Sequence, residues 1–193
     1  MIHNLSNNIT TFFIKKMIIT NKEKDICCYG MEVILSTIIG FGVILVLSCI
    51  LGKLSFGIFY LIYIVPIRMS VGGYHAKSYF KCNIIFAIFF VLAFLLCENQ
   101  TVQGFKVLAY INLVSVFFIM RYAPLENENK KLSDSKKNIY KHVNILIYTI
   151  GGMAGVYFKN IYGINVLTIV LNVVTVLLIL GKGVEGYEKN KNG

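Results

Sequence analysis

The sequence predicts an all-α polytopic membrane protein with about six membrane segments and an N-terminal amphipathic interfacial helix. Of its 193 residues, 56% are hydrophobic, and the mean hydropathy of +0.69 lies far above that of soluble domains. Residues 33–51, 142–158 and 160–181 contain no Asp, Glu, Lys or Arg. About 20 apolar residues in a helix cross the hydrocarbon core. These runs lack the alternation of barrel strands, so helices must satisfy their backbone in lipid.

The first predicted element is an amphipathic helix over residues 2–19. Its apolar residues recur at helical spacing, and Lys15 and Lys16 stand beside them. This pattern is typical of a helix that lies in the plane of the membrane interface. A charged connector, NKEKD, at 21–25 then leads into the first span, over about residues 30–52.

Five further spans are predicted between turn signals. Gly52 and Lys53 form a tight turn, and the second span ends at Pro66 because proline disfavours helical geometry in the residue before it. A long polar loop at 121–142 separates the fourth and fifth spans. The third to sixth spans cover about residues 83–97, 107–120, 143–158 and 160–181. Together they form one membrane domain over residues 1–193, divided into an N-terminal part (1–29), the membrane segments (30–181) and a tail (182–193).

Positive charge is distributed unevenly among the connections. The net charge is +10, and lysines and arginines gather in the N-terminal region, the 68–81 segment, the 121–142 loop and the tail. The turns at 98–102 and 159–163 hold none and one. Because cytoplasmic loops are enriched in Lys and Arg, six spans place all the rich segments, including both termini, on the cytoplasmic side. No nucleic-acid-binding motif accompanies the charge, so we expect no nucleic acid partner.

The segment RMSVGGYHAKSYFKC at residues 68–82 interrupts the apolar sequence with charge, two glycines, one histidine and one cysteine. A thiol attacks carbonyl carbon as the thiolate, and an adjacent imidazole accepts its proton and returns it to the leaving amine. This combination favours acyl transfer at a peptide carbonyl, with His75 and Cys82 as candidate catalytic residues. Two structural residues with no joint chemistry are the alternative, because this spacing alone is common.

Other residues around the pair are candidates for supporting roles. Lys77 and Lys81 add positive potential that favours the thiolate. Gly72 and Gly73 allow backbone shapes closed to other residues, and their N–H groups could face a developing oxyanion. Glu32, the sole acid within a predicted span, could orient the histidine or pair with the arginine that opens the segment, Arg68. His3 is expected to be an exposed terminal residue, and His142 an interfacial one.

Geometry sets a condition on the catalytic pair. Seven residues of straight helix separate His75 from Cys82 by about 10.5 Å, whereas base and nucleophile must approach to about 3 Å. We therefore predict a break near residues 72–76, with the histidine on a loop and the cysteine near the start of the third span. A pair formed between neighbouring subunits is the alternative.

The combination of Arg68, the GGYHA stretch at 72–76 and Cys82, with YGME at 29–32, resembles the signature of the accessory gene regulator B (AgrB) family. The resemblance extends to chain length, the N-terminal segment, the number of spans and the basic loop. It implies a membrane-embedded cysteine endopeptidase of Gram-positive bacteria. Such an enzyme cleaves the small propeptide AgrD and allows it to cyclise to a thiolactone autoinducing peptide for quorum sensing. Cys82 would form the acyl-enzyme thioester and His75 would act as the base.

The resemblance also implies the partners. These are an AgrD-like propeptide, the lipid bilayer and a second copy in a homodimer, with no cofactor or metal. The propeptide's amphipathic leader would lie beside residues 2–19. Its acidic tail would meet Arg68, Lys77, Lys81 or the lysines of the 121–142 loop, although membrane topology alone explains the loop lysines equally well.

Two other functions compete with the endopeptidase. A transporter or exporter of a small peptide would use His75 as a proton site and would string polar residues through several spans, but these spans hold only scattered Asn, Thr and Ser. A non-enzymatic membrane scaffold would function without Cys82 and His75.

Overall fold

The computed structural model describes residues 2–72, 78–125, 133–158 and 160–192, with side chains as far as Val184. Across these ranges the regular structure is helical and contains no strand, which confirms the all-α prediction. A short 3₁₀ turn, Asn21–Glu23, precedes the second helix. The helices are α1 (Ile2–Lys15), α2 (Lys24–Ile50), α3 (Leu54–Val71), α4 (Tyr79–Asn99), α5 (Val102–Tyr122), α6 (Asp134–Tyr157) and α7 (Tyr162–Asn192).

Five of these helices are long and apolar enough to cross a membrane: α2, α3, α4, α5 and α7. The sequence predicts about six segments, and α6 is the one that does not join the five. Its first turns carry Asp134, Lys136, Lys137 and Lys141, and it continues through His142 and Asn144 before its apolar part begins. The described residues thus form a polytopic helical membrane protein, and its sixth candidate span begins with polar and charged turns.

Several predicted boundaries are wrong. The helix α3 does not end at Pro66 but runs through it to Val71, because its last turn packs against other helices: Ile67 and Val71 are buried, and Ser70 bonds to α6. The polar loop is shorter than 121–142, since α5 extends to Tyr122 and α6 begins at Asp134. Helix also replaces part of the 21–25 connector and continues from α7 through the predicted tail to Asn192.

The turns between helices lie alternately at the two ends of the bundle. At one end, Lys53 after α2 pairs with Glu98 at the end of α4 (Nζ–Oε2 3.4 Å), and Phe59 meets Tyr162 at the start of α7 with ring centroids 6.3 Å apart. At the other end, Leu125 after α5 contacts the end of α3. The charge-poor turns therefore share one end, as the charge count requires. That the opposite end is cytoplasmic stays a prediction.

The centre of the bundle is α7, which packs against α3, α4, α5 and α6. Its apolar residues are mostly buried, whereas many of those on α2 face outward. Between α3 and α4 an aromatic cluster fills the core: Phe56, Tyr60, Phe90 and Phe94 lie with ring centroids 5.1–6.0 Å apart. Asn112 and Asn172 connect α5 and α7 by donating from their amides to main-chain carbonyls of the facing helix.

The predicted N-terminal helix is present as α1 and packs against α2. Its buried residues are the small, polar Ser6 and Thr10, whereas Leu5 and Phe12 are about half exposed. An apolar face that points away from the protein suits a helix in contact with lipid. Its position in the plane of the interface stays a prediction.

The contact between α2 and α3 generates a test of packing. A methyl group on Gly57 would overlap the side chain of Ser48, which is buried and bonded to the Ile44 carbonyl at 2.6 Å. We expect Gly57→Ala to lower the free energy of unfolding by about 1–3 kcal/mol through overpacking. Thermal unfolding in detergent measures it. The matched control is Gly42→Ala on α2, where a methyl group would meet nothing within 4 Å. Equal stability of the two variants would contradict the close approach of α2 and α3.

Candidate functional site

The predicted break in the charged segment is present. Helix α3 ends at Val71, and Gly72 has φ 78° and ψ −157°, a backbone conformation open almost only to glycine. Its N–H donates to the Arg68 carbonyl at 2.9 Å. Residues 73–77, with Gly73, His75 and Lys77, lie outside the described residues, so the distance from histidine to cysteine stays untested.

Cys82 lies in the first turn of α4, as predicted. The helix begins at Tyr79 after an extended Ser78, and the Cys82 N–H donates to the Ser78 carbonyl at 3.0 Å. The thiol is free and partly exposed, and the neighbouring Lys81 side chain is exposed. The cysteine is therefore at the end of the bundle that carries the charged connections, where a substrate can reach it from outside the core.

Among the predicted site residues that the structure describes, Arg68 is brought to Cys82 by the fold. It lies in the last turn of α3, and its Nη2 is 4.0 Å from the Cys82 Sγ. The guanidinium also lies over the Phe86 ring, one turn further along α4, with 5.9 Å to the centroid. The planar guanidinium thus occupies the angle between α3 and α4, with its fixed positive charge beside the sulfur.

Glu32 has a partner that the sequence analysis misses. Its Oε1 lies 2.6 Å from the Nδ1 of His3, although their positions are 29 residues apart. His3 is exposed as expected, but it joins α1 to α2 through this contact. Tyr79 at the start of α4 also interacts with Glu32. The carboxylate therefore lies where α1, α2 and α4 meet, and its contact on α4, Tyr79, is three residues before Cys82.

Among the described residues, one group of side chains comes close to a metal-binding arrangement. The ligand atoms of His3, Cys28 and Glu32 all lie within 4.8 Å of one another. The His3 and Glu32 atoms are hydrogen-bonded, however, and at 2.6 Å they are closer than two ligands of a tetrahedral zinc ion, which stand about 3.3–3.8 Å apart. The arrangement here is a contact between α1 and α2.

The end of α3 is also held from the opposite side by residues that the sequence analysis does not single out. Asn144 of α6 donates from Nδ2 to the Ser70 carbonyl at 3.0 Å, and its Oδ1 accepts from the Ser70 hydroxyl at 2.6 Å. Leu125, just after α5, donates its N–H to the Val71 carbonyl at 3.0 Å. The only sequence signal for Asn144 is one amide at the edge of an apolar run.

The fold and this site define a class: a helical membrane protein with a thiol and a guanidinium together at one end of its bundle. The sequence pattern of the family described as accessory gene regulator B, AgrB, matches residues 6–180, and the chain belongs to that family. Membership indicates a role in the agr quorum-sensing system, in which the family is linked to propeptide processing.

Similar proteins cover most of the chain. It is 24% identical over 157 residues to a protein named as AgrB-like from Clostridium perfringens (strain SM101 / Type A), covering 78% of this chain and 73% of that one. It is 26% identical over 196 residues to another named as AgrB-like from Clostridium beijerinckii, covering 98% and 96%. No solved structure matches the chain.

The turn after α3 generates a second test. A methyl group on Gly72 would overlap the Leu125 carbonyl oxygen, in a conformation that already strains other residues by about 1–3 kcal/mol. We expect Gly72→Ala to lower the melting temperature in detergent more than Gly52→Ala does. Gly52 also has a positive φ of 68°, but a methyl group there would meet nothing within 4 Å. The difference between the variants reports the contact with Leu125 together with the backbone conformation of Gly72, and equal losses would contradict this account of the turn.

Proposed function

We propose that this protein is a membrane-embedded cysteine endopeptidase that removes the C-terminal tail of an AgrD-type propeptide. Two observations support the proposal: membership of the AgrB family, and the free Cys82 thiol at the start of α4 with the Arg68 guanidinium 4.0 Å away. The second observation carries the proposal, because a free thiol and a fixed positive charge lie together at an accessible end of the bundle.

In the proposed reaction, His75 accepts the proton of the Cys82 thiol, and the sulfur attacks the carbonyl carbon at the end of the future signal. The C–N bond breaks, the tail leaves as an amine with the proton from His75, and the signal remains as a thioester on Cys82. A thiol of the substrate then attacks this thioester, gives its proton to the base and closes the thiolactone as the Cys82 sulfur leaves.

Exchange of one thioester for another is nearly balanced in energy, so ring closure depends on proximity and on the exclusion of water, which would hydrolyse the thioester. A site at the rim of an apolar bundle offers both. The Phe86 ring under the Arg68 guanidinium supplies one apolar surface beside the sulfur.

Arg68 has an electrostatic role in this proposal. A guanidinium is always charged, so beside the sulfur it stabilises negative charge on the free thiolate and on the leaving thiolate of the second step. Gly72, by contrast, uses its N–H to cap α3 and serves the turn rather than an oxyanion. An oxyanion donor from Gly73, and the supporting roles of Lys77 and Lys81, stay part of the proposal.

The first functional test removes the nucleophile or the base. In cells that produce the AgrD-type propeptide together with this protein, we expect Cys82→Ala and His75→Ala to leave full-length propeptide, because no acyl-enzyme forms. Mass spectrometry of the peptides measures this. The control is Cys49→Ala, which removes another free and exposed thiol and should process normally. Normal trimming by Cys82→Ala would overturn the proposed function.

The second functional test concerns Arg68. Charge-assisted contacts contribute about 1.5–3 kcal/mol, so we expect Arg68→Gln to slow tail release by about tenfold or more. Arg68→Lys keeps the positive charge but loses the planar guanidinium with its several donors, so its rate of tail release should be intermediate. The rate is measured with purified protein in liposomes. Arg121→Gln is the control, since Arg121 lies at the end of α5 over the Tyr122 ring. An unchanged rate for Arg68→Gln would remove Arg68 from the mechanism.

A further inference from the structure

We infer that Asn144 is a positioning residue: it holds the last turn of α3, and with it Arg68, in register with Cys82. The inference rests on the proposed function and extends it to α6, a helix with no residue in the proposed chemistry. Asn144 acts through the backbone of α3 and need not touch the substrate.

The carbonyls at the end of α3 need hydrogen-bond donors from outside the helix. The last four carbonyls of a helix have no partner in the regular bonding pattern, and in an apolar setting each must find one. The Gly72 N–H makes the last regular helical bond, to the Arg68 carbonyl. Beyond it, Asn144 donates to the Ser70 carbonyl and Leu125 donates to the Val71 carbonyl. Both of these donors come from the segments on either side of the α5–α6 connection.

The last turn of α3 is weakly held by the helix itself. Pro66 has no N–H, so the carbonyl four residues earlier loses its helical partner, and the ring crowds that turn. Residues 67–71 are therefore tied less firmly to the body of the helix than an unbroken helix would tie them. Their position depends correspondingly more on contacts from other helices.

The side chains of the last turn of α3 point toward two different helices. Arg68 and Ser70 are two residues apart and point to different neighbours, Arg68 to Cys82 on α4 and Ser70 to Asn144 on α6. Asn144 is completely buried, and its amide makes two hydrogen bonds to one residue. These two hydrogen bonds fix both the rotation of the turn about the helix axis and its position along that axis. A turn released from α6 can rotate, and rotation moves the guanidinium away from the sulfur.

The test compares the buried Asn144 with the partly buried Asn172 in the purified protein. We expect Asn144→Ala to lower kcat for tail release by about tenfold or more, with KM for the propeptide nearly unchanged, because misplacement affects the chemical step. The matched control is Asn172→Ala, which also loses two amide hydrogen bonds, to the Leu108 and Thr168 carbonyls. It should lower the melting temperature similarly and leave the kcat of folded protein unchanged.

Ser70→Ala provides a milder variant if Asn144→Ala fails to fold. It removes the hydroxyl but keeps the bond from Asn144 to the Ser70 carbonyl, so we expect a smaller fall in kcat. Because Ser70 and Asn144 act as a unit, the double variant Ser70→Ala/Asn144→Ala should be no slower than Asn144→Ala alone. Additive effects, or a kcat for Ser70→Ala equal to that of the unmodified protein, would overturn the inference.

A second readout does not depend on the propeptide. With Cys27, Cys28, Cys49 and Cys97 replaced by alanine, alkylation of Cys82 by a maleimide reports the thiolate directly. We expect Asn144→Ala to slow the alkylation of Cys82, as Arg68→Gln does. We expect Asn172→Ala to leave the alkylation rate unchanged. Processing without Cys82 would overturn the proposed function. Processing that needs Cys82 but is as fast in Asn144→Ala as in Asn172→Ala, with equal alkylation, would overturn only the inference about Asn144.

Discussion

A helix end in an apolar environment must find partners for its last carbonyls, and this constraint shapes the end of α3. The glycine that turns the chain, the segment after α5 and an amide from α6 all donate to the same helical turn. That turn carries Arg68, whose guanidinium lies beside the Cys82 sulfur. The same hydrogen bonds that satisfy the end of α3 therefore also set the position of the charge in the proposed reaction.

Three asparagines and one tyrosine inside this bundle share one use. Asn112, Asn144 and Asn172 all donate from their side-chain amides to a main-chain carbonyl of a facing helix, and the Tyr148 hydroxyl donates to the Leu171 carbonyl of α7. Polar contacts of this kind compensate for the absence of a hydrophobic driving force between helices in lipid. These side chains therefore hold helices together, which agrees with the sequence argument against a polar transport path.

The helical membrane fold was predictable because long apolar runs indicate membrane-spanning helices, and the length of such a run can be read directly from the local sequence. The boundaries were less predictable where tertiary contacts override local preference. Pro66 remains helical because the turn after it is held by other helices, and residues 134–142 are helical despite their charge. In the site, the motif identified Arg68 and placed Cys82 near a helix start. His3 and Asn144 escaped detection because their partners are 29 and 74 residues away, and no spacing rule connects them.

Cys82 and Arg68 are positioned by contacts from different parts of the protein. Cys82 is placed locally, by the start of α4 and the packing of that helix on α2, where the Asn83 amide donates to the Ser36 carbonyl at 3.3 Å. Arg68 is placed by contacts from α6 and from the segment after α5. A guanidinium supported from one half of the bundle and a sulfur supported from the other meet only when both halves are packed together. The proposed activity thus depends on the whole fold, although its chemistry occupies a few residues at one end.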